Sequence, residues 1–223
     1  MQIQTASARY GLRFFAVYIT LGLIKELLLT IHFTTRKLHW NYFVALERDL
    51  EAVSRYVEFC DPNFDTFSIE LARLLFAAAS EVDVVAKLLC ENIDPGASRG
   101  NINDYKATLL SAIPELPDME VFVSRYGLSF KPWSNWAGAT NPDWWRSYNN
   151  VKHERNLHFN EATLKNALNA LGALMIITFH YYARTLAVPP STVLSPKDTT
   201  QELQPESVLL RLDSNFYYDQ LIV

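Results

Sequence analysis

Apolar residues recur three or four apart along most of the chain, the spacing of one face of a helix. From Trp40 to Phe59 the stripe is Phe43, Leu46, Leu50, Val53 and Val57, and Asp61-Pro62-Asn63 ends it. Ser68 to Glu91 predicts a second helix, whose Leu71, Leu74, Leu75, Ala78, Val82, Val85, Leu88 and Leu89 align at about 100° per residue. Asp83 and Lys87 lie opposite as an i,i+4 pair. Glu81 falls only about 60° from the middle of the stripe, so it needs a cationic or hydrogen-bonding partner, for which Lys152, His153 and Arg155 are the candidates. Asp94-Pro95-Gly96 breaks the pattern, and Asn103 to Ala112 predicts a short helix before Pro114 and Pro117.

The period then changes. Glu120 to Arg125 alternates apolar and polar, Tyr126-Gly127 turns, and Leu128 to Lys131 returns, predicting a hairpin over about 119–132. Asn141-Pro142-Asp143 supplies a capping amide, a proline for the first helical position and a first-turn acid, so a helix should start there. Asn160 can cap the last long helix, Glu161 to Leu186, with core positions Leu164, Leu168, Leu171, Met175, Phe179 and Tyr182, and Pro189-Pro190 stops it. The fold class is all-α, a bundle of four to five helices with a small β-hairpin insertion. Residues 1–37 form an apolar helical extension, 38–187 the bundle, and 188–223 a Pro/Ser/Thr-rich tail expected to pack on the body or on a neighbouring subunit.

Composition supports this division. With 49% hydrophobic and 13% aromatic residues, the 223-residue chain can bury a sizeable core, and only 7 glycines disfavour a turn-rich β architecture. The run Phe14–Ile24, bracketed by Arg13 and Lys25-Glu26, is shorter than the roughly 20 residues of a membrane span. Membrane association through residues 14–33 is therefore the third reading. A basic start before an apolar run resembles a secretory leader, but no small-x-small cleavage site follows it. Asn166 to Ala183 carries no formal charge, yet its asparagines, histidine and tyrosines suit a central bundle helix better than lipid. The net charge of -4 and a pI near 5.7 give no global attraction to phosphate. Cys60 and Cys90 suggest neither a disulfide framework nor zinc, and no paired ligand spacing joins two of His32, His39, His153, His158 and His180. We expect no metal, no cofactor and a reducing cytoplasm.

Chemistry concentrates in Trp144-Trp145-Arg146-Ser147-Tyr148-Asn149-Asn150-Val151-Lys152-His153-Glu154-Arg155. On a helix Arg146, Asn150 and His153 sit at i, i+4 and i+7, on one face and within about 60° of one another. That set suits metal-independent RNA cleavage through the ribose 2′-hydroxyl: the imidazole moves protons near neutral pH while the guanidinium neutralises charge on the phosphoryl oxygens. Lys152 and Arg155 extend the positive surface, Asn149 and Asn150 can orient phosphates or base edges, and Tyr148 can stack. The opposing reading has Arg146 solvated and His153 and Arg155 satisfying Glu81 inside the bundle, with Trp144 and Trp145 as core anchors and His158 and His180 structural.

These residues resemble the HEPN superfamily, helical bundles of prokaryotic toxins, abortive-infection proteins and related nucleases, whose active members carry an arginine followed at four to six intervening residues by histidine. Arg146 and His153 match that motif. "WWRSYNNVKHER" followed by "EATLKNALNALGAL" is similar to the end of a bacterial HEPN-like group in which a tryptophan pair precedes YNxxKHxR, and the similarity spans about Leu38 to Leu186. One position departs: Ser147 stands where asparagine or aspartate usually follows the arginine. The register starting at Arg155-Asn156 reaches His158 too soon. The resemblance implies an RNA endonuclease or RNA-binding protein of toxin or phage-defence biology. In it Arg146 and His153 are catalytic, and Asn149, Asn150, Lys152, Arg155 and Glu81 support the site. It also implies a homodimer pairing two motifs across a cleft, and an antitoxin or regulatory protein as partner. The alternative is a non-catalytic helical interaction or structural module.

Overall fold

The computed structural model describes residues 36–218; the apolar run Phe14–Ile24, and with it the membrane reading of residues 14–33, lies outside them, as do residues 219–223 at the end of the tail. The fold is mostly helical with one small sheet. In chain order it runs α1 (Leu38–Val53), α2 (Ile69–Ile93), α3 (Ile102–Ala112), β1 (Val121–Val123), β2 (Leu128–Phe130), α4 (Asp143–His153), α5 (Arg155–His158), α6 (Leu164–Thr185) and α7 (Pro196–Glu202). Seven helices thus stand among the described residues where four to five are expected, because the corner after α4 and the tail each wind a short one.

The two long helices make the centre. α2 is fixed at its start by Ser68, whose hydroxyl accepts the Leu71 N–H at 3.1 Å, and its stripe from Leu71 to Leu89 is sealed against α6. Residues 170–180 of α6 are buried on every side, as a helix wrapped by neighbours requires. α1 lies across both of them through Phe43 and Leu50, α3 covers the end of α2 through Tyr105 and Leu109, and α4 closes the remaining side.

The hairpin pairs Val121 with Phe130 and Val123 with Leu128, turning through Gly127 at φ 64°, where an L side chain would be strained. It sits close on α6 because Gly172 has no side chain: a Cβ there would lie 2.6 Å from the Phe130 ring.

Four local expectations need correction. α1 ends at Val53 rather than near Phe59, since the Ser54 hydroxyl donates to the Glu51 carbonyl at 2.7 Å and the chain turns there. Asn141 does not cap α4; its amide donates to Asn103 Oδ1 at 3.1 Å, and Pro142 takes the cap position without a side-chain bond. Asn160 does not cap α6 either. Residues 159–161 form a short turn, and Thr163 accepts the Asn166 N–H at 3.2 Å once Leu164 N–H has been captured by the Thr66 carbonyl at 2.9 Å. Finally, Glu81 meets none of Lys152, His153 or Arg155: its Oε1 lies 2.6 Å from His39 Nδ1, in a half-buried cluster with Tyr181 and Tyr182.

The tail packs on the body. Leu203, Leu209, Leu210 and Leu212 are buried in the same core as α6, and Arg211 forms a two-bond bridge with Phe122 of β1 at 2.7 and 2.9 Å. The anchor is Glu47 of α1, fully buried, whose carboxylate accepts the N–H groups of Val208, Leu209 and Leu210 at 3.1, 2.9 and 2.8 Å and the Ser207 hydroxyl. Trp40 adds an indole bond to the Pro205 carbonyl at 2.8 Å. Among the described residues no helix is long and apolar enough to cross a membrane.

Candidate functional site

α4 is amphipathic because its apolar positions repeat with the helical period: Trp144, Tyr148 and Val151 turn inward together with Ser147, while Arg146, Lys152 and His153 face water. Trp144 is a core anchor. It packs edge-on against Trp133, with ring centres 5.4 Å apart, and donates its indole N–H to the Pro132 carbonyl at 2.8 Å. Trp145, half-buried, stands edge-on to Trp144 and bridges to Tyr148. The double indole therefore fastens the helix to the body.

Arg146 and His153 share the outer face but stand about two turns, or roughly 10 Å, apart along the axis. Arg146 turns back to Asp143 in the first turn, at 3.0 Å, with both side chains about two-thirds exposed at 67% and 64%. His153 ends the helix, exposed and without a hydrogen-bond partner among the described residues. Lys152 lies over the Tyr148 ring at 5.3 Å. Asn149 donates to the Trp145 carbonyl at 2.9 Å. Glu154 then leaves helical geometry, and this bend carries Arg155 off the face to rest over the Phe76 ring of α2 at 5.1 Å. Glu81 belongs to the separate cluster with His39.

Asn150 turns inward to Glu161, which the hydrophobic pattern marks only as the start of the last long helix. Its amide donates to both oxygens of Glu161 at 3.2 and 3.0 Å, and His158 Nδ1 lies 2.6 Å from the same carboxylate. The other ring nitrogen of His158 is 3.5 Å from Glu154. Partial burial pushes the Glu161 carboxyl up, but hydrogen bonds from Asn150, His158 and Ser147 outweigh it and hold the group below the ordinary carboxylate value. Glu161 thus ties α4 to α5 and to the start of α6. Its signal in the sequence was faint: an acid three residues after a histidine, ahead of a long apolar helix. Ser147, which follows Arg146, is buried against this carboxylate.

The outcome is a division of the motif. Trp144, Ser147, Tyr148, Asn149 and Asn150 are engaged inside the fold, whereas Arg146, Lys152, His153 and Arg155 are exposed. Among the described residues no group of three or more His, Cys, Asp or Glu side chains is placed to hold a metal ion. Comparison of the chain with protein-family models, with curated proteins and with solved structures gives no match.

Proposed function

We propose that the chain is a HEPN-like protein that engages RNA through the exposed cationic end of α4. The observation that carries this reading is His153: exposed, unpartnered among the described residues, and on the same helical face as Arg146. Arg146 is held only by Asp143 in a solvent-exposed pair, an interaction worth under about 1 kcal/mol, so a phosphate can displace the carboxylate. With Arg146 released onto the phosphoryl oxygens, His153 takes the 2′-hydroxyl proton. The 2′-oxygen then attacks the adjacent phosphorus, the bond to the 5′-oxygen breaks, and that oxygen takes a proton from solvent water, giving a 2′,3′-cyclic phosphate and a 5′-hydroxyl end, while His153 releases its proton to solvent. Lys152, on the same exposed end, positions the strand, whereas Arg155 is carried off this face. A homodimer that pairs two α4 faces would double the cation density, and an antitoxin or regulator would act on that face.

The test is cleavage of end-labelled RNA, without added metal, by the native protein and by His153→Ala and Arg146→Ala. Loss of general acid–base catalysis should slow His153→Ala by about 10²–10⁴-fold at unchanged thermal stability. Equal cleavage by all three proteins, or by none, overturns the nuclease reading. The second reading, a non-catalytic interaction module, is favoured by the bonds of Asn149 to the Trp145 carbonyl of its own helix and of Asn150 to Glu161, which brace the helix rather than face a ligand.

A further inference from the structure

Beside the motif, no described residue covers the outer ridge of α2. Ile69 is 81% exposed and Tyr42, from α1, 42% exposed. With Phe76, Ala77 and Phe159 they line an open trough of ≈ 1140 Å³, and Arg155 stands at its rim. Its floor runs from Ile69 to Ser80, about 16 Å or three helical turns. An open, mainly apolar trough running along a helix has the shape that receives a second helix.

Two features select the occupant. The lining is mainly aliphatic and aromatic, and exposed ridge positions recur along α2 with the helical period, so the trough matches the apolar face of another helix. Its charged lining is cationic only, Arg73 and Arg155. Arg73 is already held by Glu70 and Asp49, neither of which lines the trough. Arg155 rests on the Phe76 ring and has no carboxylate partner among the described residues. A single unmatched cation beside so much apolar surface is too little for a nucleic-acid strand, whose affinity grows with the number of phosphates neutralised. We propose that this trough docks an amphipathic helix of a partner protein, its leucine-like side chains seated between Ile69, Tyr42 and Phe159 and a flanking carboxylate on Arg155. The proposal is independent of whether α4 cleaves RNA.

The test uses the full chain and a fluorescein-labelled helical peptide with leucines at i, i+3 and i+7 and glutamates on its flanks, read by fluorescence anisotropy. A second peptide carries lysines in place of the glutamates. The acidic peptide should bind about tenfold more tightly than the basic one. Ile69→Glu and Tyr42→Glu, both at exposed positions and so compatible with folding, should abolish binding. Arg155→Glu should reverse the preference between the two peptides. Equal binding of both peptides, no binding of either, or native-like binding by Ile69→Glu overturns the proposal. So does loss of labelled single-stranded RNA binding in Ile69→Glu and Tyr42→Glu with peptide binding intact, which would make the trough an RNA track.

Discussion

A single carboxylate, Glu161, decides how the motif helix ends. It is shared by Asn150, His158 and Ser147, so removing it strands polar groups on two elements at once. Glu161→Ala should therefore cost about 1–3 kcal/mol, the usual penalty for orphaning buried partners. Its folded-state pKa is depressed, so the stability it adds is present above the ordinary carboxylate value of 4.5 and is lost as pH falls through the lower folded value. Melting temperature followed from neutral to acid pH should drop more steeply below that value in the native protein than in Glu161→Ala; parallel curves would show that the carboxylate contributes nothing. The motif was legible as a concentration of polar and aromatic types, because so many on one short helix are uncommon. Its division was not. Periodicity places Arg146, Asn150 and His153 on one face, but it is silent on Asp143 and Glu161, which draw the first two away from the third.

At the level of elements, the long stripes were the most readable part. α2 and α6 bury so many regularly spaced residues that tertiary packing and local pattern agree, and the hairpin announced itself by its change of period. The ends of helices were less readable, because side-chain bonds from Ser54 and Asn141 compete with the pattern. Glu47 shows what was missed. It falls one turn from Phe43 and from Leu50, on the apolar side of α1, so its position along the stripe makes it, like Glu81, an acid in need of donors. Those donors are backbone N–H groups some 160 residues away. Glu47→Ala should lower unfolding free energy by about 3 kcal/mol or more, since it leaves three N–H groups and a hydroxyl without their acceptor. Denaturant unfolding measures this, with limited proteolysis reporting cleavage within residues 203–218. A variant as stable and as resistant as the native protein would mean the tail is held by its leucines alone.

For the molecule as a whole, the tail belongs to the bundle. Leu203, Leu209, Leu210 and Leu212 complete the cover over α6, and the compact unit extends from Leu38 to the last described residues. Hydrogen exchange should then find the amides of Leu209 and Leu210 as slow as those in the middle of α6, opening only with global unfolding. Fast exchange there would instead make the tail a separately opening flap. The sequence predicts that the tail packs on the body or on a neighbour but not through which residues, because its buried leucines and the backbone donors to Glu47 follow no local periodicity.

The separation of 160 residues between Glu47 and Ser207 also sets a clock on biosynthesis. At roughly 5–20 residues per second, α1 waits about 8–32 s after leaving the peptidyl transferase centre before its carboxylate can meet its donors. Throughout that interval the ribosome-bound chain holds Trp40 without its Pro205 partner, and once α6 is made its adjoining flank also waits for the lid. Such a nascent chain is a natural client for chaperones that shield apolar surface, and slow decoding before the last segment would lengthen its exposure.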